Sequence, residues 1–289
     1  MDKTIFQKET KIVSPKEGIF SLFFLFSLTI GLGIFVARKL SQLFEFQGEK
    51  IVPISIWQFL GEFVLALFII FLILFFGKKF KQKKKTLLKV LFLIATGLGS
   101  LISLGTIFGD FSFPIVLVLL FLWLKKPCVL FHNILVVFGI AGTGSYLGLS
   151  LNPKSVVLLL ILFSAYDYIA VYKTKHMVVM AKEMLQEGVI IGLILPHNLS
   201  DYKTPLSQVK PGGERFFVLG GGDITFPLLL CCSILYQGLI NSLIVAGFAL
   251  IGFAFSFLIF SRQKTPRPIP ALPPIALFSI IGYAIARII

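Results

Sequence analysis

SVVLLLILFSAYDYIAVY, residues 155–172, is apolar for 18 residues and carries one acid, Asp167. FFVLGGGDITFPLLLCCSILY, residues 216–236, repeats the pattern with Asp223 behind three glycines. A helix needs about 20 mostly apolar residues to cross the hydrocarbon core. Both runs read as membrane spans, and each holds a carboxylate where carboxylates are expensive.

The rest of the chain agrees. Of its 289 residues 57% are hydrophobic and only 14% charged, mean hydropathy is +0.95, and there are 32 Phe. Soluble domains carry about 25% charged residues. A soluble enzyme, a disordered tail and a nucleic-acid module are excluded. The reading is an all-α polytopic membrane protein.

Nine runs qualify as transmembrane helices: Ile19–Ala37, Ile54–Gly77, Val90–Phe108, Phe111–Leu124, Cys128–Leu149, Ser155–Tyr172, Phe216–Tyr236, Leu239–Ser261 and Ile269–Ile289. The fourth, flanked by Trp123 and the Lys125-Lys126 pair, is the shortest. With the N-terminus cytoplasmic, 22 of the 27 basic residues fall in inner segments. That asymmetry predicts N-inside, C-outside and an odd number of spans. It also accounts for the net charge of +14 without nucleic acid as a partner. The Lys78–Lys89 run is an inner-side anchor, suited to anionic lipid. The first run is read as a retained span rather than a cleaved signal.

Residues 1–289 thus form a single membrane domain, with spans one to six in 1–172, a cytoplasmic loop at 173–215 and spans seven to nine in 216–289. In the loop, His176–Leu195 is expected to be an interfacial amphipathic helix. Pro196–Gly213 reads as a mobile loop. The cysteines Cys128, Cys231 and Cys232 are odd in number and lie at or within apolar runs, so neither a disulfide framework nor a zinc site is expected.

Three acids lie inside apolar runs: Glu62, Asp167 and Asp223. A carboxylate at the bilayer centre costs about 2.5–3.5 kcal/mol on insertion scales, so each is a functional candidate. Asp167 lies about 9 Å from the inner end of its span and Asp223 about 12 Å from the inner end of the next, at 1.5 Å per residue. Consecutive spans tend to be neighbours, so the two acids can meet in the inner half of the membrane. Glu62 enters from the other side and is expected to make a polar contact between helices. Two carboxyls a few ångströms apart resist ionising together, and such a pair holds one shared proton over a broad pH range. It can serve aspartic-protease chemistry, one acid activating water and the other protonating the leaving nitrogen. It can equally carry protons or cations in a transporter. The residues alone leave both open, together with a non-catalytic scaffold that only binds helices.

The neighbours of the acids add more. Tyr166 precedes Asp167; Gly220, Gly221 and Gly222 precede Asp223; and Pro270-Ala271-Leu272 opens the ninth run. Tyr-Asp, Gly-x-Gly-Asp and Pro-Ala-Leu, in this order on spans six, seven and nine, resemble the presenilin and signal-peptide-peptidase family of intramembrane aspartyl proteases. With Ile269 before Pro-Ala-Leu and an inner N-terminus, the chain is more similar to a microbial, archaeal presenilin homologue than to a signal peptide peptidase. The resemblance implies a presenilin-like fold, Asp167 and Asp223 as the catalytic pair, and Tyr166, Gly220, Gly221, Gly222, Pro270, Ala271 and Leu272 as residues that shape the site. It implies transmembrane helical proteins as substrates and a place in the cell membrane. It implies neither cofactor nor metal, and leaves room for self-association. Gly221 stands where many relatives carry Leu, which bears on cleavage position.

Helical substrates hide their peptide bonds, so a substrate must unwind. It is expected to pair with a strand near Pro196–Arg215 or near the Pro-Ala-Leu segment. Gly142-Thr143-Gly144-Ser145 faintly resembles the serine motif of rhomboid proteases. A nucleophilic serine needs a base close by. His132 lies near the opposite end of the same span, and His176 and His197 lie in the loop, so Ser145 is read as a packing residue.

Overall fold

The computed structural model describes residues 15–48, 51–77, 81–174, 188–196, 198–209, 215–263 and 268–288. Among them are nine α-helices: α1 (Pro15–Gln47), α2 (Ile56–Gly77), α3 (Lys81–Phe108), α4 (Ser112–Lys125), α5 (Val129–Ser150), α6 (Pro153–Tyr168), α7 (Gly221–Ser233), α8 (Leu239–Ser261) and α9 (Leu272–Ala286). Two strands, β1 (Gly192–Pro196) and β2 (Phe216–Gly220), lie between α6 and α7.

Helix boundaries follow local chemistry. Asn152 caps α6 by accepting the Lys154 N–H at 3.0 Å, and Pro153 fills the first helical position. Pro273 and Pro274 sit in the first turn of α9, where missing N–H groups cost nothing. Five helical stretches among the described residues are long and apolar enough to cross a membrane; one is the joined α3–α4 stretch Thr86–Lys125.

The helix α5 is the hub. It packs on α1, α3 and α7 and touches β1. Small residues permit the approach. A Cβ on Gly99 of α3 would run into the Gly139 carbonyl of α5, and one on Gly142 into the Gly99 carbonyl. Gly33 of α1 and Gly144 of α5 both lie against Leu228 of α7, and Gly148 lies against Leu229 and Cys232. Ser145 is fully buried and donates to the Ala141 carbonyl or to the Gly33 carbonyl of α1, 2.6 Å away. It packs and bridges helices, as expected. Lipid tails are as apolar as leucine, so helices associate here through close packing and such bonds.

Several expectations change. The run Phe216–Tyr236 is not helical throughout: its first five residues are β2, and the helix begins at Gly221. Of the amphipathic helix expected over His176–Leu195, residues 176–187 lie outside the described residues, and Gly192 onward is β1. The strands pair antiparallel, with Gly192 opposite Gly220 and Pro196 opposite Phe216. A short apolar segment next to a second one satisfies its backbone by pairing as readily as by coiling. Much of the Pro196–Gly213 stretch is packed rather than loose. Leu206 is buried, its N–H donates to the Pro127 carbonyl at 2.9 Å, and Tyr202 Oη meets Ser21 Oγ at 2.6 Å. His197 and residues 210–213 lie outside the described residues. Glu62 is exposed and bonds Gln58 one turn earlier in its own helix at 3.4 Å, an i,i+4 contact rather than one between helices. The helix α1 runs ten residues past Ala37, because a helix need not stop where its apolar run does.

The glycine contacts yield a stability test. Gly142→Val should destabilise the fold by about 1–3 kcal/mol, since overpacking meets backbone that cannot yield. Gly247→Ala, where a Cβ meets nothing within 4 Å, should be neutral or gain about 0.5–1 kcal/mol of helix propensity. Thermal unfolding in detergent, followed by circular dichroism, separates the two.

Candidate active site

Asp167 closes the last turn of α6 and is 6% exposed. Immediately after it the helix widens into a π turn, Ile169–Lys173, with the Thr174 N–H reaching back to the Ile169 carbonyl at 3.0 Å. Such turns mark places where the regular ladder gives way. The Asp167 carboxylate accepts the Leu272 N–H on its Oδ2 at 3.3 Å.

That amide is available because Leu272 is the first residue of α9, and helix-start N–H groups have no intrahelical acceptor. Pro270 and Leu272 are buried and Ala271 half-buried. The segment is held from α8: Ser256 Oγ lies 3.0 Å from the Ala271 carbonyl and 3.1 Å from the Gly252 carbonyl, and Gly252 sits directly against Pro274 and Ile275. The Pro-Ala-Leu tripeptide therefore reaches Asp167 through backbone, not through side chains.

Asp223 is the third residue of α7 and is half-buried. Gly220 caps that helix, and the Asp223 carboxyl lies over it, with Oδ2 3.0 Å from where a Cβ on Gly220 would stand. A third-position acid reaching back to the capping residue is one half of a capping box. The Gly221 N–H, another orphan of the helix start, donates to the Ile191 carbonyl at 3.1 Å. Pro227 has no N–H to return to the Asp223 carbonyl four residues earlier. Phe163 of α6 stacks on Phe226 of α7 at 4.4 Å between centroids, zipping the two acid-bearing helices together. The helices α6, α7 and α9 pack on one another pairwise. The structure thus brings both acids and the Pro-Ala-Leu backbone into one place.

The remaining candidates are less central. Tyr166 is 53% exposed, on the surface rather than within the site. Gly222 is exposed, and a Cβ there would touch Phe226 at an ordinary distance. Glu62 is not part of the cluster. Among the described residues, no three His, Cys, Asp or Glu side chains converge as metal ligands. The β1–β2 hairpin feeding Asp223 was not expected. Its signal is the eight-residue run Val189–Pro196, too short to span a bilayer, rich in β-branched residues and ended by proline.

A family model for signal-peptide peptidase, presenilin aspartyl protease matches residues 21–289. The chain belongs to this family. It is an integral membrane protein and an intramembrane-cleaving aspartic endopeptidase. Two solved structures, both described as a presenilin family intramembrane aspartate protease, share the fold of this presenilin-family chain. The one in space group C222 is 20% identical, with a TM-score of 0.58, and the match covers 93% of this chain and 98% of that one. The one in space group P2 is 24% identical, with a TM-score of 0.55, covering 91% and 96%. A sequence comparison with curated proteins finds no match.

Gly220 and Gly221 make opposite predictions for this presenilin-family site. A Cβ on Gly220 would stand 3.0 Å from Asp223 Oδ2. Gly220→Ala should push the carboxyl aside and lower kcat about tenfold, as small misplacements of reacting groups do. A Cβ on Gly221 would meet nothing closer than 3.6 Å. Gly221→Ala should keep its rate within about twofold, by the same reasoning on placement, while moving the cut along the substrate. Turnover and mass-spectrometric mapping of fragments measure both effects.

Proposed function

We propose that Asp167 and Asp223 are the catalytic pair of this protease, hydrolysing peptide bonds within the transmembrane helices of other membrane proteins. The observation that carries the reading is the Leu272 N–H on the Asp167 carboxylate, with Asp223 on a helix that packs against both α6 and α9. One donor fixes which oxygen of Asp167 is occupied and leaves the other free to face Asp223 and a water.

The pair holds one proton. The ionised member takes a proton from water as it attacks the scissile carbonyl. The protonated member hydrogen-bonds that carbonyl, and the pair then delivers a proton to the departing nitrogen. Burial of Asp167 and the half-burial of Asp223 make each such interaction worth more than in bulk water. Tyr166, Gly220, Gly221, Gly222, Pro270, Ala271 and Leu272 shape the site around the pair.

The substrate enters as a helix and is cut as an extended chain. It adds to the free edge of β2, toward which Val218 turns its N–H and C=O, since Ile194 opposite it bonds away to Asn133. Main-chain pairing would hold the unwound stretch beside Asp223, three residues beyond the end of the strand. We place the nine helices across the cell membrane with the N-terminus cytoplasmic and the C-terminus outside, so that residues 173–215 lie on the inner side. This orientation favours substrates whose N-termini face outward.

A purified single-span substrate in detergent tests the assignment. Asp167→Ala and Asp223→Ala should each reduce cleavage by at least about a hundredfold, the span of general acid–base catalysis. Wild-type kcat/KM should be bell-shaped in pH, because one acid must be charged and the other neutral. Retained cleavage in either variant removes that residue from the mechanism.

A further inference from the structure

The strand β1 has two edges. One pairs with β2. The other faces α5, where two adjacent polar side chains meet it. Asn133 accepts the Ile194 N–H at 2.9 Å through Oδ1 and donates through Nδ2 to the Ile194 carbonyl at 2.6 Å. His132 places Nε2 3.0 Å from the Gly192 carbonyl. A carbonyl only accepts, so Nε2 carries the proton. Asn133 is 2% exposed and His132 fully buried, its ring stacked on Phe92 at 5.1 Å.

Antiparallel strands point their backbone groups alternately to either side. With Ile194 bonded outward to Asn133, the bonds to β2 fall at Leu193 and Leu195. The outward positions of β1 are then Gly192, Ile194 and Pro196. His132 takes the first carbonyl, Asn133 takes both groups of the second residue, and Pro196 has no N–H to offer. Asn133 acts as a one-residue substitute strand. It closes the edge of β1 and leaves the far edge of β2 as the open one.

We propose that Asn133, assisted by His132, is a positioning residue that keeps the β1–β2 hairpin formed before substrate arrives and so directs an extended substrate to β2. This deepens the reading given under Proposed function and rests on it. The coupling is to docking rather than to chemistry. The helix α7 is fixed separately, through Leu228 and Leu229 against Gly144 and Gly148 of α5. Loss of the clamp should therefore fray the strands from their Pro196–Phe216 end, while the Gly221–Ile191 bond still holds Gly220 and Asp223 in place. A fraying hairpin lowers the fraction of enzyme able to bind, and apparent affinity falls by that fraction.

The test combines kinetics with amide hydrogen exchange on the full-length protein in detergent. In wild type the amides of residues 193–195 should exchange slowly without substrate. Asn133→Leu removes both bonds at similar volume. It should speed exchange in residues 193–195 and 217–219 and raise KM about tenfold, with kcat within about twofold. His132→Phe keeps the stack on Phe92 and loses one bond, so it should raise KM about threefold. If Asn133→Leu does not fold, His132→Phe and the wild-type exchange decide. Fast exchange in wild type overturns the proposal. So does a variant whose exchange quickens while KM stays put, or one that loses kcat at constant KM. If wild type cleaves nothing, the catalytic reading fails, and slow wild-type exchange that quickens in Asn133→Leu still supports the clamp.

Discussion

In hydrocarbon an unpaired backbone group costs several kcal/mol, and non-helical chain survives there only behind protein. The protein breaks its helices in three places near the acids and answers each break with a partner. The first residue of α9 gives its free N–H to Asp167. The start of α7 gives the Gly221 N–H to Ile191. The outer edge of β1 is met by Asn133 and His132. The breaks and the acids satisfy one another, and the site exists because they do.

That arrangement needs rigid walls. Glycines at the crossings of α5 with α3 and α7 let backbones touch, and Ser256 ties the Pro-Ala-Leu backbone to α8. Position is then set by packing that resists small displacements. It explains why a hydrogen bond from a main-chain amide can be trusted to orient Asp167: the amide cannot swing away as a side chain could.

Much of this was legible beforehand. Runs of apolar residues announce membrane helices, and Asp167 and Asp223 stood out because charge in such runs is costly. Counting residues to Lys173 and Arg215 predicts a common depth for the two. Other features were hidden by ambiguity of period. Phe216 to Leu219 are apolar whether coiled or extended, and only Gly220-Gly221-Gly222 hinted at a boundary. Leu193 to Leu195 looked like the end of an amphipathic helix although Pro196 closes a strand. Asn133 went unread because a neutral amide raises less alarm than an acid, and its partner lies 61 residues away. Glu62 drew attention by its charge, yet it is exposed and bonds within its own helix. Hydropathy registers that a group is polar; which way it points depends on tertiary contacts.

The π turn after Asp167 carries a consequence for how the chain can vary. It holds one residue more than an α turn, an offset of about 100° in helical phase. The end of the turn at Lys173 is rotated by that much relative to an unbroken coil, while the aspartate upstream keeps its bearing. Over evolutionary time, a one-residue insertion or deletion there could be absorbed by opening or closing the widened turn. The segment that follows could drift in register while Asp167 keeps its bond to the Leu272 N–H.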